Sequence, residues 1–312
     1  MLEDARTTAS PDEFAVAIRQ LAKEQWYQTE VERRGRLKIP MTEPLDSWQV
    51  WNADPIDVAA LIEGVETVLL DFAHTKLNPS ESEITRFITF RPSLIVSNAS
   101  SHSRGRALVC PISGKQRQRN GDVHLEKASW RSEGTVLTAF LRSIDSDIEL
   151  PLERRELLCI QRQLENNYWQ AVRKEIDRVF DNRWPLAGAF SPGAVVQINR
   201  VSGDYGVVIA TCRLFSPNSE RNVALLAMNF DAAGRDILDQ LSDQQAQEID
   251  QLGLIRIAWN DDEGDRNHVE YFDLLGLQCA RIGDLTSVGH AVDTTAVAHA
   301  QQIFRRFLAE AV

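Results

Sequence analysis

No run in this 312-residue sequence approaches the roughly 18 consecutive apolar residues that a bilayer-spanning helix needs. The first residues, Met1-Leu-Glu-Asp-Ala-Arg6, lack the positive-then-apolar order of a secretory leader. These absences predict a cytoplasmic protein without a membrane partner. Cysteine is scarce. Cys110, Cys159, Cys212 and Cys279 are widely spaced, and none forms a C-x-x-C or Cys/His pair. They read as buried apolar thiols in a reducing compartment rather than as a disulfide framework. The six histidines (His74, His102, His124, His268, His290, His299) are equally scattered. No ligand spacing for a metal arises, and neither metal nor cofactor is expected. H-E-x-x-H, an EF-hand loop, Walker A, a Gly-rich dinucleotide turn and G-x-S-x-G are all missing. That weighs against metal hydrolysis, nucleotide-driven work and α/β-hydrolase chemistry.

Positive charge is also short overall, but it is unevenly spread. The chain carries a net charge of −11, whereas residues 86–145 hold ten Lys/Arg against four Asp/Glu. Residues 190–312 hold 17 acids, nine arginines and no lysine. A basic island inside an acidic molecule is a footprint for a polyanion, most simply single-stranded RNA. Apolar residues make up 43% and charged residues 25%, ordinary for a globular chain long enough for two or three domains.

Patterning divides the chain further. Pro11 opens an amphipathic helix reaching about residue 34, with Phe14, Ile18, Leu21 and Trp26 near one stripe, followed by the basic cluster Arg33, Arg34, Arg36 and Lys38. A short helix is expected over residues 56–62 and a strand over 65–72. Arg91-Pro-Ser-Leu-Ile-Val-Ser-Asn98, Ala107-Leu-Val-Cys-Pro-Ile-Ser113 and residues 134–145 are β-branched, apolar runs closed by turn residues, and read as strands of one small barrel. Residues 151–180 carry apolar positions at spacings of three and four, which predicts a long linking helix. Strands over 194–198, 206–214, 221–230 and 254–259 follow, with a helical stretch over 231–249 and a closing helix from Thr294. The expected layout is α+β: a helical region (1–62), a small β-barrel (63–150), a linking helix (151–184) and an acidic β-rich domain (189–312).

The segment from Gly64 to Asp145 resembles the MazF/PemK/Kid family of toxin endoribonucleases. Gly64-Val-Glu-Thr-Val-Leu-Leu-Asp-Phe72 is similar to the family's opening strand G-D-I-x-x-V-D-F. Arg91–Asn98 is nearly its R-P-A-L-V-V-S-N strand. Val109-Cys-Pro-Ile-Ser113 resembles the strand ending A-P-I-T, and Ala139-Phe-Leu-Arg-Ser-Ile-Asp145 resembles D-Q-I-R-T-I-D. The match covers about a quarter of the chain. It implies an SH3-like barrel and metal-free cleavage of single-stranded RNA, with Arg91 and Ser113 as catalytic groups. It also implies a homodimer and an antitoxin or other regulatory partner. Those residue types suit the chemistry: a guanidinium presents several donors to a phosphorane, and a hydroxyl adds another. The family pattern differs here in the loop before Arg91, which lacks the leading glycine, and at Phe140, where an amide side chain is common.

Other readings stay open beside this one. An Arg-Pro at a strand start also serves structurally, pairing Asp71 or Asp145. Arg142 contacts RNA or braces the barrel. Arg86, Arg104, Arg106, Lys115, Arg117 and Arg119 track a phosphate backbone or form a solvated face. His102 and His124 read as surface or satisfied residues, Ser97-Asn98 as a turn, and Trp130 as a core residue before a base-stacking one. Residues 192–209 weakly resemble immunity barrels of the Imm26 kind. The acidic domain then either occludes the basic cleft or keeps the chain soluble. A catalytically inactive binding module, or an immunity or antidote protein of a bacterial defence system, is the alternative to the enzyme.

Overall fold

The computed structural model describes residues 11–53, 90–114, 119–126, 133–186, 190–198, 205–216, 218–229, 254–260 and 267–311. The strand expected over 65–72, the helices over 56–62 and 231–249, and Arg86, Lys115, Arg117 and Trp130 lie outside them. Within them the architecture is mixed α+β, with two antiparallel sheets and few helices. The chain divides into two compact units, the first made of residues 1–45, 51–92 and 147–162, the second of 46–50, 93–146 and 163–312.

In the first unit, α1 spans Pro11–Leu37. Proline suits a helix start because its missing N–H is one the first turn leaves unpaired anyway. The other end closes with Lys38 in the left-handed region (φ 55), Lys38 N–H on Gly35 O and Ile39 N–H on Arg34 O. These are the two crossed bonds that satisfy the last helical carbonyls. The expected basic cluster is tied down here. Glu30 accepts from both Arg33 and Arg34, and Arg34 Nη1 donates to Pro40 O at 2.8 Å. The paired guanidinium groups hold the Glu30 carboxyl down to about 2. Buried Lys23 donates to Glu153 O.

The long helix expected over residues 151–180 is only half present. Residues 151–154 form turns, and Leu157–Gln163 is a strand, β7, leaving a helix over Asn166–Phe180 alone. The physical reason is in Leu157-Leu-Cys-Ile160, four consecutive apolar residues, all buried. An unbroken apolar run fits a strand covered on both faces, whereas a surface helix would interrupt it with polar positions.

The second unit holds most of the remaining elements. Its strands and short helix are β1 (Gln49–Ala53, whose last three residues belong to the first unit), β2 (Arg91–Ile95, likewise shared), α2 (Ala99–His102), β3 (Arg106–Ser113), β4 (Asp122–Leu125), β5 (Gly134–Leu137) and β6 (Arg142–Asp145). The first sheet runs β4-β5-β3-β2-β1-β7, with β6 also on β3. Strand β3 is its hub. One edge takes β2, with Ser93 opposite Pro111 and Ile95 opposite Val109. The other edge is split: β6 pairs residues 106–109 and β5 pairs Ile112 and Ser113. A 3-10 turn, Thr138–Phe140, carries the chain between them.

Helix α3 (Asn166–Phe180) presents Val172, Ile176, Val179 and Phe180 on one buried stripe. The second sheet contains β8 (Ala194–Ile198), β9 (Tyr205–Cys212), β10 (Val223–Asn229), β11 (Leu254–Asn260), β12 (Asn267–Arg281) and β13 (Leu285–Ala291), in the order β11-β12-β10-β9-β8-β13. Helix α4 (Thr294–Arg305) is capped by Asp293, which accepts the Thr295 N–H.

One apolar core serves both sheets of this unit. Leu94, Leu108, Cys110 and Val136 meet it from the first sheet, Val207, Ile209, Leu225 and Phe272 from the second, with Ile176, Ile303 and Phe304 from the helices. Phe180 and Phe304 stack at 4.5 Å, and Trp48 and Trp169 at 5.6 Å. Neither sheet closes into a barrel among the described residues. Residues 306–310 run along the first sheet instead. Asn98 N–H reaches Phe307 O, Ala309 N–H reaches Val96 O, and Trp48 Nε1 donates to Glu310 O.

Candidate functional site

Alternation along β3 sorts its side chains by face. Leu108, Cys110 and Ile112 enter the core, so Val109, Pro111 and Ser113 face the other way. Ser113, partly exposed, ends the strand opposite Thr135 of β5. Thr135 in turn stands opposite His124 of β4. Directly paired residues of an antiparallel sheet share a face. Two hydroxyls and an imidazole therefore form a row across three strands, on the face opposite Leu108, Cys110 and Ile112, where Val109 is itself buried. Thr135 is buried and His124 exposed. Arg142, opposite Val109, belongs to the same face further along β3 and is half-buried. Arg91 opens β2, two residues before Ser93.

Among the described residues, the other expected RNA contacts Arg104, Arg106 and Arg119 do not gather there. Exposed Arg106 has the parity of Leu108 and stands opposite Asp145. Burial raises the Asp273 carboxyl on β12, against the opposing pull of the Leu275 and Gly276 N–H groups and of the Arg106 charge. Exposed Arg104 lies over the Phe307 ring at 5.1 Å. Arg119 is 3.2 Å from Asp122 and covers the Phe140 ring at 5.1 Å, its side chain only 10% exposed. Arg119 is thus committed to local packing.

His102 is a satisfied residue, 2.9 Å from the Ser97 hydroxyl, and burial lowers its pKa against the pull of Asp46. Ser97-Asn98, expected as a turn, does more than turn the chain. Asn98 caps α2, and Ser97 bridges to Leu308. Cys110, Cys159 and Cys212 are buried and Cys279 is partly so. Burial pushes the Cys212 thiol up to about 12, which leaves it protonated and unreactive.

Sequence reasoning passed over Thr135 and set His124 aside as surface. Their signal was the alternation in Asp122-Val-His-Leu125, where Val123 and Leu125 are buried and His124 is not. Four residues inside a charged connection are too few to announce a strand. No family model matches the chain, and no curated protein matches it.

Proposed function

We propose that the first sheet is the core of a MazF/PemK-like, SH3-type module that cleaves single-stranded RNA without a metal ion, as a cytoplasmic toxin-type endoribonuclease. The carrying observation is the β2–β3 pairing. Its register has Ser93 opposite Pro111 and Ile95 opposite Val109. In this proposal the Arg91 guanidinium and the Ser113 hydroxyl act on one phosphate. The ribose 2′-oxygen attacks phosphorus, the 5′-oxygen leaves, and a 2′,3′-cyclic phosphate remains. Arg91 donates to the non-bridging oxygens as their charge grows, and Ser113 supplies a further donor. Arg86, Arg104, Lys115, Arg117 and Arg142 are proposed as phosphate contacts. A homodimer and an antitoxin-like partner are part of the same proposal.

Full-length protein incubated with mixed-sequence single-stranded RNA in EDTA tests this. Cyclic-phosphate ends are expected, with cleavage falling about 10²- to 10³-fold in Arg91→Ala. RNA left intact by the unmutated protein would refute the enzyme. One observation favours a second reading. Arg106 and Arg119, expected to track phosphates, have acidic neighbours within the chain. A module that binds a partner without cleaving it, of immunity or antidote type, would show RNA or protein binding and no new RNA ends.

A further inference from the structure

We infer that the loop joining β9 to β10, with the strand ends beside it, is a binding surface for single-stranded nucleic acid, on which Phe215 stacks a base and arginines take the phosphates. The inference goes beyond the ribonuclease reading, since it concerns binding alone and needs no cleavage. Its starting point is Phe215, which is 41% exposed. Among the described residues the other large apolar side chains so exposed are Val31, Leu37 and Ile39, all aliphatic and all in the first unit. Burying a phenyl ring is favourable, yet the fold leaves this one in water.

The loop holds that ring in place. Asn222 is fully buried, and its carboxamide oxygen accepts the Leu214 N–H at 2.9 Å and the Phe215 N–H at 3.0 Å. Its amide nitrogen donates to Ser216 O at 2.8 Å. The Asn222 N–H reaches Ser219 O, and the Ser219 N–H reaches Ser216 O. The turn after β12 joins the same net, with the Ile282 N–H on Asn222 O and the Gly283 N–H on Glu220 O. Backbone fixed on both sides of Phe215 leaves little entropy to lose when a partner stacks on the ring.

Positive charge gathers at the same place. Strands β12, β10 and β9 are neighbours, and Val223 stands opposite both Arg281 and Cys212. Arg281 ends β12, Arg221 lies two residues before Val223, and Arg213 follows Cys212. Three arginines therefore stand at adjacent strand ends, spread over roughly 10 Å at about 4.8 Å per strand. The Arg213 N–H donates to Trp184 O, which brings the segment of exposed Arg183 alongside. None of the four forms an ion pair among the described residues. The nearby acids are Glu220, which is exposed, and Asp284, which is engaged within the chain. Residues 190–312 carry 17 acids and nine arginines, so this local excess of positive charge runs against its surroundings.

A single strand of nucleic acid fits these features better than a protein does. Sites that hold single strands combine aromatic rings, on which bases stack, with cationic side chains along the backbone. Arginine also presents a planar fork to phosphate oxygens. A protein partner's anchor would sit in a wider apolar zone that excludes water. Phe215 has polar neighbours instead, Ser216, Asn218 and Ser219, with arginines beyond them. Stacking and phosphate contact do not separate RNA from DNA, so the ligand is defined by its base faces and phosphodiester backbone.

Fluorescence anisotropy of the full chain with three labelled probes tests this: an oligouridylate blocked against cleavage by 2′-O-methyl groups, an oligothymidylate of equal length, and polyglutamate. One or both oligonucleotides should bind, and the tighter of the two identifies the source. Phe215→Ala should weaken that binding about 10- to 100-fold at an unchanged melting temperature, and Phe215→Trp should restore it. Arg221→Ala combined with Arg281→Ala should lower the slope of log affinity against log salt by about 1.4, for two phosphates no longer neutralised. Equal affinity in Phe215→Ala, or an unaltered slope in the double variant, would overturn the inference. Polyglutamate bound more tightly than both oligonucleotides would assign the patch to an acidic protein and overturn it too. Oligouridylate held through Phe215 while the unblocked strand stays uncut refutes the ribonuclease reading and leaves this surface standing. Cleavage of the unblocked strand with no contribution from Phe215 to binding does the reverse.

Discussion

The Ser97 hydroxyl lies 2.9 Å from His102 Nε2 while accepting the Leu108 N–H at 2.9 Å. Ser97 is fully buried and His102 partly so, and this one oxygen serves both partners. Ser97→Ala strands both of them. We expect a loss of about 1–3 kcal/mol in a urea unfolding series, the usual cost of an orphaned buried polar group. A loss below about 0.5 kcal/mol, the scatter of ordinary surface substitutions, would show that the pairing is incidental.

Glu30 gives an acid-side signature. Its carboxyl sits at about 2 in the fold, against an ordinary value of 4.5. Because the folded value is the lower one, its contribution is fully present above the unfolded pKa and is lost as pH falls through the folded one. Glu30→Gln should therefore lower the melting temperature at neutral pH. The gap to the unmutated protein should close between about pH 4.5 and pH 2. A gap unchanged over that window would contradict the pairing with Arg33 and Arg34.

Gly193 is held at φ 97, its N–H on Val208 O and its carbonyl on the Val292 N–H. An added Cβ would come within 2.8 Å of Val292 O, which is backbone and cannot step aside. Gly193→Ala should cost about 1–3 kcal/mol from the left-handed backbone and the clash together. Calorimetry checks this, and an unchanged melting temperature would mean the turn has relaxed.

Arg104 and Arg119 should respond differently. Arg119→Ala removes a largely buried ion pair with Asp122 and a contact with Phe140, so we expect about 1–3 kcal/mol of destabilisation. Exposed Arg104→Ala should cost only about 0.5–1 kcal/mol from its contact with Phe307. If the proposed RNA surface is right, Arg104→Ala also lowers the slope of log affinity against log salt by about 1. An unaltered slope takes Arg104 out of that surface.

The strands that carry the proposed chemistry were legible because their apolar runs are long and end in turn residues. Ala107–Ser113 falls within β3, and Arg91–Asn98 within β2 and its continuation. Residues 151–163 misled because Leu157 and Ile160 also fit a helical spacing, and only their unbroken burial reveals a strand. β12 stayed hidden for a different reason. Its register against β10 shifts between Leu226 and Met228, so no single alternation runs through its 15 residues. β13 is half-exposed and interrupted by Gly289, which leaves little apolar signal. For the site, Ser113 was visible from its own strand, but the row to His124 depends on which strands become neighbours. Cross-strand pairing is decided by tertiary contact, and no single segment encodes it.

The backbone bonds from Val96 and Asn98 to residues 306–309 set an order of events during synthesis. Asn98 meets Arg306 O across 208 residues, and Trp48 meets Glu310 O across 262. A ribosome adding about 5–20 residues per second completes the first sheet at least about seven seconds before these partners emerge. Contacts that far apart in sequence are reached late and slowly. The backbone groups of Val96 and Asn98 that face residues 307–309 must therefore wait unpaired until translation is nearly finished.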